Sequence, residues 1–421
     1  MKLVQPLFIS TLLTVFVCKL QAQNNTSAYS VVGLGDIEKS SFDRTSGMGH
    51  AGLALSSDRF LYQANPASYS SLTDYFFHFE ASARYKYVGY TGQPVTAGNS
   101  SSDLQFKKLA AAIKIKPRWA ISVGLLPYST ANFSFYAQKS IQGSTSTATS
   151  YYQGTGSTNQ FYLANSYKFS KNFSLGLQMS YLFGQVAQTE NIGTNVTDSV
   201  LTTTRNMYVS NLLFKAGFQY KTKVGKNWSI GAGGTFSPKT KLRATTSVVA
   251  TYGNNTYINN PDYSSGYYYL PTTYGGGISA TYKEKMTFAV DYVAQNWADL
   301  NYGGVSYKLV NSNRISAGVE IAKKLIFTDN TTGKIYKYDK YFYQAGFFYA
   351  NSYTQFSGQQ IADYGGTIGM GINGNRLGLM GALEVGQRGT TSYGLVKEDY
   401  VQFTLTFSYR DSWYRSRKKF Y

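Results

Sequence analysis

The segment from Tyr400 to Tyr409 alternates between apolar and polar side chains, and this pattern limits the fold more than any other feature. Its apolar members are Val401, Phe403, Leu405, Phe407 and Tyr409, and its polar members are Gln402, Thr404, Thr406 and Ser408. Successive side chains of a strand point to opposite faces, so the segment is a β-strand with one apolar face. The same period returns about fourteen times, and no twenty-residue apolar run competes with it. The pattern predicts an all-β transmembrane antiparallel β-barrel of about 14 strands.

The composition agrees with a barrel wall. Of the 421 residues, 43% are hydrophobic and only 14% are charged, yet the mean hydropathy is −0.27. A wall that alternates between lipid and a polar lumen produces this balance without a continuous apolar stretch. Aromatic residues make up 16% of the chain, with 39 Tyr, which suits the two interfacial girdles of a barrel. A large secreted array of β-sandwiches is the alternative that composition leaves open.

Residues 1–22 have the features of a secretory signal peptide. Lys2 precedes an apolar core from Leu7 to Val17, and the small residue Ala22 marks the expected cleavage point. The only cysteine, Cys18, lies inside this segment. We therefore expect a mature protein without a thiol, a disulfide or a thiolate metal site.

The net charge of +19 does not indicate nucleic-acid binding, because the basic residues are scattered over turns, loops and the C-terminus. Contact with outer-membrane lipids and lipopolysaccharide explains such a charge more simply. We expect the protein in the bacterial outer membrane, with no nucleic-acid partner.

Fourteen strands are predicted after residue 73. They are Tyr75 to Val88, Leu104 to Lys116, Trp119 to Tyr136, Phe161 to Phe169, Phe173 to Gln188, Met207 to Tyr220, Trp228 to Ser237, Tyr268 to Tyr282, Met286 to Gln295, Ile315 to Ala322, Tyr341 to Ala350, Thr367 to Asn373, Leu379 to Gly386 and Tyr400 to Tyr409. Short basic links alternate with long polar links such as Gln138 to Gln160, as expected of periplasmic turns and extracellular loops. Lys323 to Lys340 is long where a short link is due. Thr240 to Tyr252 is either a hairpin arm or an added strand, so the count is uncertain by about two.

Several short motifs occur in order over nearly the whole mature chain. Asn65-Pro66-Ala67 follows a Gly-rich segment, Arg44 to Ala54, and precedes the first strand. The other motifs are Gly33 to Asp36, Gly124 to Ser129, Ser180 to Gly184 and Trp413-Tyr414. Together with the barrel pattern, they resemble the FadL-type family of outer-membrane transporters of hydrophobic compounds, in its Bacteroidetes-like branch.

This resemblance implies a barrel with an N-terminal hatch in its lumen. The domains would be a signal peptide at 1–22, a plug at 23–73, a barrel at 74–410 and a basic periplasmic tail at 411–421. The plug motif would consist of Gly47, Met48, Gly49, Asn65, Pro66 and Ala67. A free periplasmic arm, in which Asn65 only caps a turn, is the alternative.

Pro127 interrupts the third predicted strand, where it cannot donate a ladder hydrogen bond. In the family, a kink in this strand opens a lateral gap through which a substrate leaves the lumen. The resemblance therefore implies such a gap at Pro127. The alternative is that Pro127 lies at the outer rim of the barrel, where strand pairing ends in any case.

The alternation assigns a set of charged and polar side chains to the lumen. These candidates for ligand binding or ion pairing are His78, Glu80, Arg84, Lys86, Lys114, Lys215, Asp291, Glu320 and Glu384. The four cations Arg84, Lys86, Lys114 and Lys215 can bind the carboxylate of an amphipathic ligand, or they can pair with the acidic members and the plug. Apolar residues of the same phase, such as Leu126, Leu182, Phe348 and Met380, either line a ligand cavity or pack on the plug.

The sequence gives little support to catalysis. The mature chain has only His50 and His78, neither with a serine or carboxylate at a diagnostic spacing, so we predict no enzyme and no catalytic residue. No cluster suggests zinc and no acidic loop suggests calcium, so we predict no metal and no cofactor. Asp36 and Asp58 are isolated and are interpreted as turn formers.

Two functions remain. The first is passive uptake of hydrophobic, fatty-acid-like small molecules across the outer membrane. The alternative is a non-transporting subunit or docking partner of a complex for protein secretion or barrel assembly, with outer-membrane or periplasmic proteins as partners.

Overall fold

The computed structural model describes residues 27–92, 99–140, 147–193, 200–300, 307–328 and 335–412. Regular structure consists almost entirely of strands, with short 3-10 turns at Ala28–Val31, Arg44–Met48, Pro66–Ser71 and Ser392–Gly394. No helix in these ranges combines the length and apolar character that a membrane span needs.

The strands form one antiparallel sheet. They are β1 (Asp36–Ile37), β2 (Phe76–Gly92), β3 (Ser100–Lys116), β4 (Trp119–Thr130), β5 (Phe133–Ser140), β6 (Thr147–Lys168), β7 (Phe173–Gly193), β8 (Val200–Val224), β9 (Trp228–Ser237), β10 (Thr240–Tyr252), β11 (Asn255–Leu270), β12 (Thr273–Tyr282), β13 (Met286–Gln295), β14 (Tyr307–Leu309), β15 (Ser312–Thr328), β16 (Ile335–Phe356), β17 (Gln359–Asn373), β18 (Leu377–Arg388) and β19 (Val396–Ser412).

Fourteen of these strands make up the wall, which confirms the predicted fold class. β5, β10, β11 and β14 extend the wall at the end with the long loops, and β1 belongs to the N-terminal segment. The ambiguous segment Thr240–Tyr252 is β10, which pairs with β11 and β8 as a hairpin arm beyond β9. It therefore adds no strand to the count.

The last strand closes the barrel. β19 pairs with β2 over its full length, from Val396 opposite Gly92 to Ser412 opposite Phe76. The predicted alternation of β19 is clear in its exposed fractions. Val401, Phe403, Leu405 and Phe407 are 40–44% exposed on the outer face, whereas Gln402, Thr404, Thr406 and Ser408 are 1–4% exposed on the inner face. This pairing joins the last strand of the wall to the first, so neither β2 nor β19 is an edge strand.

Three predicted segments need correction. The long link expected at Gln138 to Gln160 is largely strand, since β6 already begins at Thr147. The link expected at Lys323 to Lys340 is also largely strand, because β15 and β16 stay paired as far as Thr328 opposite Ile335. Its remaining residues, 329–334, lie outside the described ranges. The third predicted strand is broken at residues 131–132 into β4 and β5.

Residues 27–72, which we call the N-terminal segment, lie against the inner face of the wall. Side chains on strands all around the closed barrel contact this segment, including Glu80 of β2, Asp291 of β13 and Glu384 of β18. The segment therefore contacts inward-facing groups on strands from separate parts of the closed wall. Its residues Leu61, Tyr69 and Leu72 pack with Leu126 and Tyr162 in a buried cluster.

Candidate functional site

The wall has a seam between β3 and β4. Their ladder runs from Lys116 opposite Trp119 to Leu109 opposite Leu125, and no further β3–β4 pairs occur in the described residues. Pro127 follows this last pair, and the register of β4 against β6 shifts between Pro127 and Ser129. Proline has no backbone donor, so a ladder is expected to weaken here. The sheet is therefore open between β3 and β4 toward the long loops.

The N-terminal segment bridges this seam. On one side, β1 pairs with β4, with Asp36 opposite Thr130 and Ile37 opposite Ser129. On the other side, the carboxylate of Glu38 accepts a hydrogen bond from the ammonium of Lys107 on β3, at 2.9 Å. Burial opposes the ionisation of Glu38, but Lys107 and Arg84 outweigh it and lower the pKa of Glu38 to about 2. The bridge thus combines backbone hydrogen bonds with an ionised pair.

A polar cavity of about 100 Å³ lies beside the bridge. Charged side chains of both signs line it, including Arg84, Lys107, Arg388, Asp36 and Glu38. Arg388 donates to both carboxylate oxygens of Asp36, at 2.6 and 3.1 Å. The interpretation of Asp36 as a turn former is therefore wrong. An opening lined by paired charges disfavours the passage of an apolar molecule.

Lys107 and Lys108 both point inward, although adjacent residues of a regular strand point to opposite faces. The register of β3 against β2 shifts between Ser82 and Ala83, which marks a β-bulge. The ammonium of Lys108 binds Glu80 at 2.6 Å and the carbonyl of Leu61 at 2.6 Å. The bulge therefore provides one lysine for the seam and another for the N-terminal segment.

Arg44 of the N-terminal segment contacts two carboxylates and two aromatic rings of the barrel and the segment. Its Nε and Nη2 donate to the two oxygens of Glu320 at 2.8 and 2.6 Å, and Nη2 also donates to Asp339 at 2.7 Å. The guanidinium lies 4.8 Å from the ring centre of Phe60 and 4.2 Å from that of Phe342. The arginine is only 4% exposed, so these contacts replace its hydration.

Two further wall carboxylates anchor the segment. His50 Nε2 lies 2.8 Å from Glu384 Oε2, and its Nδ1 lies 2.9 Å from the carbonyl oxygen of Ser41. Asp291 Oδ2 accepts hydrogen bonds from the backbone N–H groups of Gly52 and Leu53 at 2.6 and 2.8 Å. Glu80, Asp291, Glu320 and Glu384 thus all bind the segment or a lysine that contacts it. They were predicted as lumen residues, and in the structure each of them accepts a hydrogen bond from the N-terminal segment.

Gly47, Met48 and Gly49 lie where backbone approaches backbone. A Cβ on the wall residue Gly346 would come within 2.3 Å of the carbonyl carbon of Met48. Gly49 has φ of 63°, in the left-handed region, and ends the turn Arg44–Met48. Glycine is therefore required both in the segment and in the wall that faces it.

Asn65, Pro66 and Ala67 form a second close contact, against β7, β8 and β9. The side-chain N–H₂ of Asn65 donates to the carbonyls of Leu53 and Phe218, both at 2.9 Å, while its oxygen accepts from the N–H of Ala67 at 3.0 Å. Asn65 caps the turn Pro66–Ser71 and also ties this turn to the wall.

The four predicted lumen cations differ in their surroundings. Arg84 lies 3.7 Å from Glu38, Lys86 lies 4.4 Å from the ring centre of Tyr400, and Lys114 binds Asp74 at 2.8 Å. Lys215 has no hydrogen bond or ion pair within the part of the chain that the structure describes. Of the four, Lys215 is therefore the candidate for a ligand carboxylate.

The remaining candidates lie in packed surroundings. His78 is 1% exposed and its Nδ1 lies 3.0 Å from the carbonyl of Arg59. Leu126, Leu182, Phe348 and Met380 are at most 5% exposed and belong to four hydrophobic clusters. In the described residues, neither histidine ring hydrogen-bonds a hydroxyl group, and no cluster of acidic or histidine side chains is arranged to hold a metal.

The sequence did not indicate five residues that bind either a predicted site residue or the N-terminal segment. These five residues are Glu38, Arg44, Lys107, Lys108 and Arg388. The adjacent lysines at 107 and 108 break the alternation of β3, and this break was the available signal for a bulge. Arg44 and Glu38 lie in a segment without periodicity, so nothing local indicates their partners.

The fold is shared with solved outer-membrane-type channels. A Pseudomonas aeruginosa FadL homologue is 12% identical, with a TM-score of 0.57 over 90% of this chain and 100% of that chain. The CymD monoaromatic hydrocarbon channel is 13% identical, with a TM-score of 0.52 over 92% of this chain and 100% of that chain. The deltaS2S3 mutant of the TodX monoaromatic hydrocarbon channel is 12% identical, with a TM-score of 0.51 over 89% and 99%. At such identities the likeness shows the fold alone, which is a FadL-like barrel. The Bacteroidetes-like branch stays a prediction.

No curated protein sequence matches this chain. The family model described as BamG matches residues 3–420, which is nearly the whole length. A match of this extent shows that the chain belongs to the BamG family.

Proposed function

We propose that this protein is a plugged, non-conducting barrel of the bacterial outer membrane that serves as a subunit or docking partner of a complex for barrel assembly or protein secretion. The N-terminal segment acts as a fixed plug, and the short-turn end of the barrel faces the periplasm. The observation that carries the proposal is the bridge across the β3–β4 seam, in which β1 pairs with β4 and Glu38 binds Lys107.

Two further observations support this function. Arg44, His50 and Gly52 bind carboxylates of the wall and Asn65 binds a backbone carbonyl of β8, so the plug is anchored at widely separated points. Membership of the BamG family also favours the barrel-assembly form of the proposal. A barrel that carries no substrate needs no open path, and a filled lumen gives it a rigid wall for protein contacts.

The test combines purification with conductance. The protein extracted in mild detergent should co-purify with at least one partner in stoichiometric amount, and the purified barrel should carry no steady current in a planar bilayer. Glu38→Gln should increase current or its fluctuations, because the seam loses its ion pair. Asp399→Asn is the matched control, since it breaks the exposed Lys397–Asp399 pair of 2.8 Å at the same end. Isolation of the barrel alone, together with a deletion defect confined to growth on hydrophobic substrates, would contradict the proposal.

Uptake of a hydrophobic, fatty-acid-like small molecule is the second candidate. The open seam beyond Leu125 and the unpaired ammonium of Lys215 favour it. In this case the plug would move away from β4 and Lys215 would bind the carboxylate of the ligand. Accumulation of a labelled fatty acid in proteoliposomes that depends on Lys215, with Lys226→Met on an exposed turn as control, would support uptake over the subunit function.

A further inference from the structure

A cavity lined by lysine and serine opens at the short-turn end of the barrel. It has a volume of about 470 Å³ and lies between the turns after β6 and β8 and the end of the turn Pro66–Ser71. Four lysines line it, namely Lys168, Lys171, Lys221 and Lys223, together with serines that include Ser56, Ser70 and Ser71. Among the residues that the structure describes, no carboxylate lines this serine–lysine pocket.

The lysines of the pocket are not neutralised by direct partners. None of the four ammonium groups makes an ion pair or hydrogen bond within the described residues. Lys168 and Lys324 are the like charges that face Lys221, while Glu284 and Asp58 are the carboxylates that face it without binding it. Four unpaired cations around one cavity repel one another, and an anionic occupant removes this repulsion.

The walls of the pocket are fixed by backbone contacts. The N–H of Lys168 donates to the carbonyl of Arg118 and the N–H of Lys221 donates to the carbonyl of Asn172, both at 2.8 Å. Ser70 is fully buried, and its N–H donates to the hydroxyl of Ser166 at 3.1 Å. The lysines therefore project from a rigid rim, which lowers the entropy lost when an anion binds.

The strand phase indicates the source of the anion. Lys168 follows the inward residue Ser166, and Lys221 follows the inward residue Gln219, each by two positions. The neighbouring outward residues Tyr167 and Tyr220 are 42% and 46% exposed and form part of the aromatic girdle that meets the bilayer. Lys168 and Lys221 thus point into the mouth of the barrel and away from the surrounding lipid headgroups. An anion reaches them along the barrel axis, from the aqueous side.

We propose that the serine–lysine pocket is a docking site for an acidic peptide segment, rich in Asp and Glu, of a partner protein on the short-turn side. The ammonium groups bind the carboxylates, and the hydroxyl groups of Ser56 and Ser71 and the side-chain amide of Asn172 donate further hydrogen bonds. This inference rests on the proposed function as a subunit of a complex, and it names the chemistry of one contact.

The full-length protein in detergent is titrated with a fluorescent deca-glutamate peptide, and binding is followed by anisotropy. The pocket variant carries Lys168→Gln, Lys221→Gln and Lys223→Gln. The control variant carries Lys226→Gln, Lys283→Gln and Lys285→Gln, which remove the same charge from exposed turns outside the pocket. Heat-modifiable electrophoretic migration verifies that both variants retain the barrel.

We expect the pocket variant to bind the peptide about tenfold more weakly than the parent, because it loses three exposed ion pairs with the peptide. The affinity of the control variant should change by less than about twofold. Binding of the parent should weaken as salt increases. Equal losses in both variants, or no binding by the parent, would overturn the proposal. A pocket-dependent loss of binding to vesicles containing phosphatidylglycerol, with peptide binding unchanged, would overturn it in favour of a lipid. The co-purification and conductance tests do not use this peptide, so failure of the subunit function and failure of this pocket can be distinguished.

Discussion

The substitution Glu320→Gln tests whether the plug is fixed by its buried arginine. Glu320 accepts two of the hydrogen bonds from Arg44, at 2.8 and 2.6 Å, and both side chains are less than 10% exposed. Glutamine keeps the size of the side chain but removes its charge. Arg44 then retains only Asp339, at 2.7 Å, as an anionic partner. Breaking a buried pair costs about 3–5 kcal/mol, and we expect the lower end, about 3 kcal/mol, because Asp339 remains.

This loss of stability should increase the fraction of molecules in which the Arg44 turn of the plug is open to solvent. Ser46 lies in the same turn as Arg44 and is 5% exposed, and Cys18 in the predicted signal peptide is the only natural cysteine. Ser46→Cys therefore provides a single buried thiol whose reaction with a maleimide requires local opening. A loss of 3 kcal/mol corresponds to an increase in the open population of about 100-fold, and the labelling rate should rise by this factor.

A double-mutant cycle identifies the cause. Arg44→Met should also increase labelling, but Arg44→Met with Glu320→Gln should cost clearly less than the sum of the two, because the second substitution removes an unpaired buried charge. Glu284→Gln, on an exposed turn, should leave the rate unchanged. Additive effects, or a change of less than about fivefold for Glu320→Gln, would refute the view that this pair fixes the plug.

The other predictions concern close contacts and pH. Gly217→Ala should destabilise the plug by about 1–3 kcal/mol, because a Cβ there would lie 2.2 Å from Asn65 Oδ1. The control is Gly276→Ala, whose Cβ would meet nothing within 4 Å. The labelling rate of the thiol in Ser46→Cys compares the two variants. Asn65→Ala should cost about 2 kcal/mol by the same assay, because two backbone carbonyls lose a donor. Glu38 has a lowered pKa of about 2, so its contribution to seam closure should be complete above its ordinary value near 4.5 and should disappear as the pH falls toward 2. Conductance across this pH range, compared between the parent and Glu38→Gln, measures that contribution.

The wall could be predicted from the sequence because its determinant is local. Alternation in β19 identifies the lipid face from ten consecutive residues, and repetition of this period gives the strand count. The same rule predicted an inward orientation for Glu80, Asp291, Glu320 and Glu384, and each of these side chains belongs to a residue that is at most 7% exposed. A side chain's face follows from its own strand, and no knowledge of distant residues is needed.

The partners of these side chains could not be predicted, since they depend on residues far apart in the chain. Arg388 binds Asp36 across 352 positions, and Arg44 binds Glu320 across 276. The bulge at Lys107 and Lys108 also changes the phase of β3, so one rule of alternation cannot describe the whole strand. Alternation also failed to show where β15 ends and where β16 begins, because the register of the two strands shifts between Lys323 and Lys324 and the pairing continues to Thr328 opposite Ile335.

The distribution of these contacts indicates which motion the barrel permits. Arg44, His50 and Gly52 bind three different wall carboxylates, and release of the whole segment would break all three contacts. At about 3 kcal/mol for the buried Arg44 pair and about 1.5–3 kcal/mol for each of the other two carboxylate contacts, the sum of roughly 6–9 kcal/mol is comparable to the total stability of many folded domains. By contrast, β1 is two residues long, and its link to β3 is the single ion pair between Glu38, the residue after β1, and Lys107. The contact of Asp36 with Arg388 joins β1 to β18 and does not close the seam. Any opening short of unfolding should therefore begin at the seam, where Glu38 and Lys107 separate while the Arg44 turn remains in place.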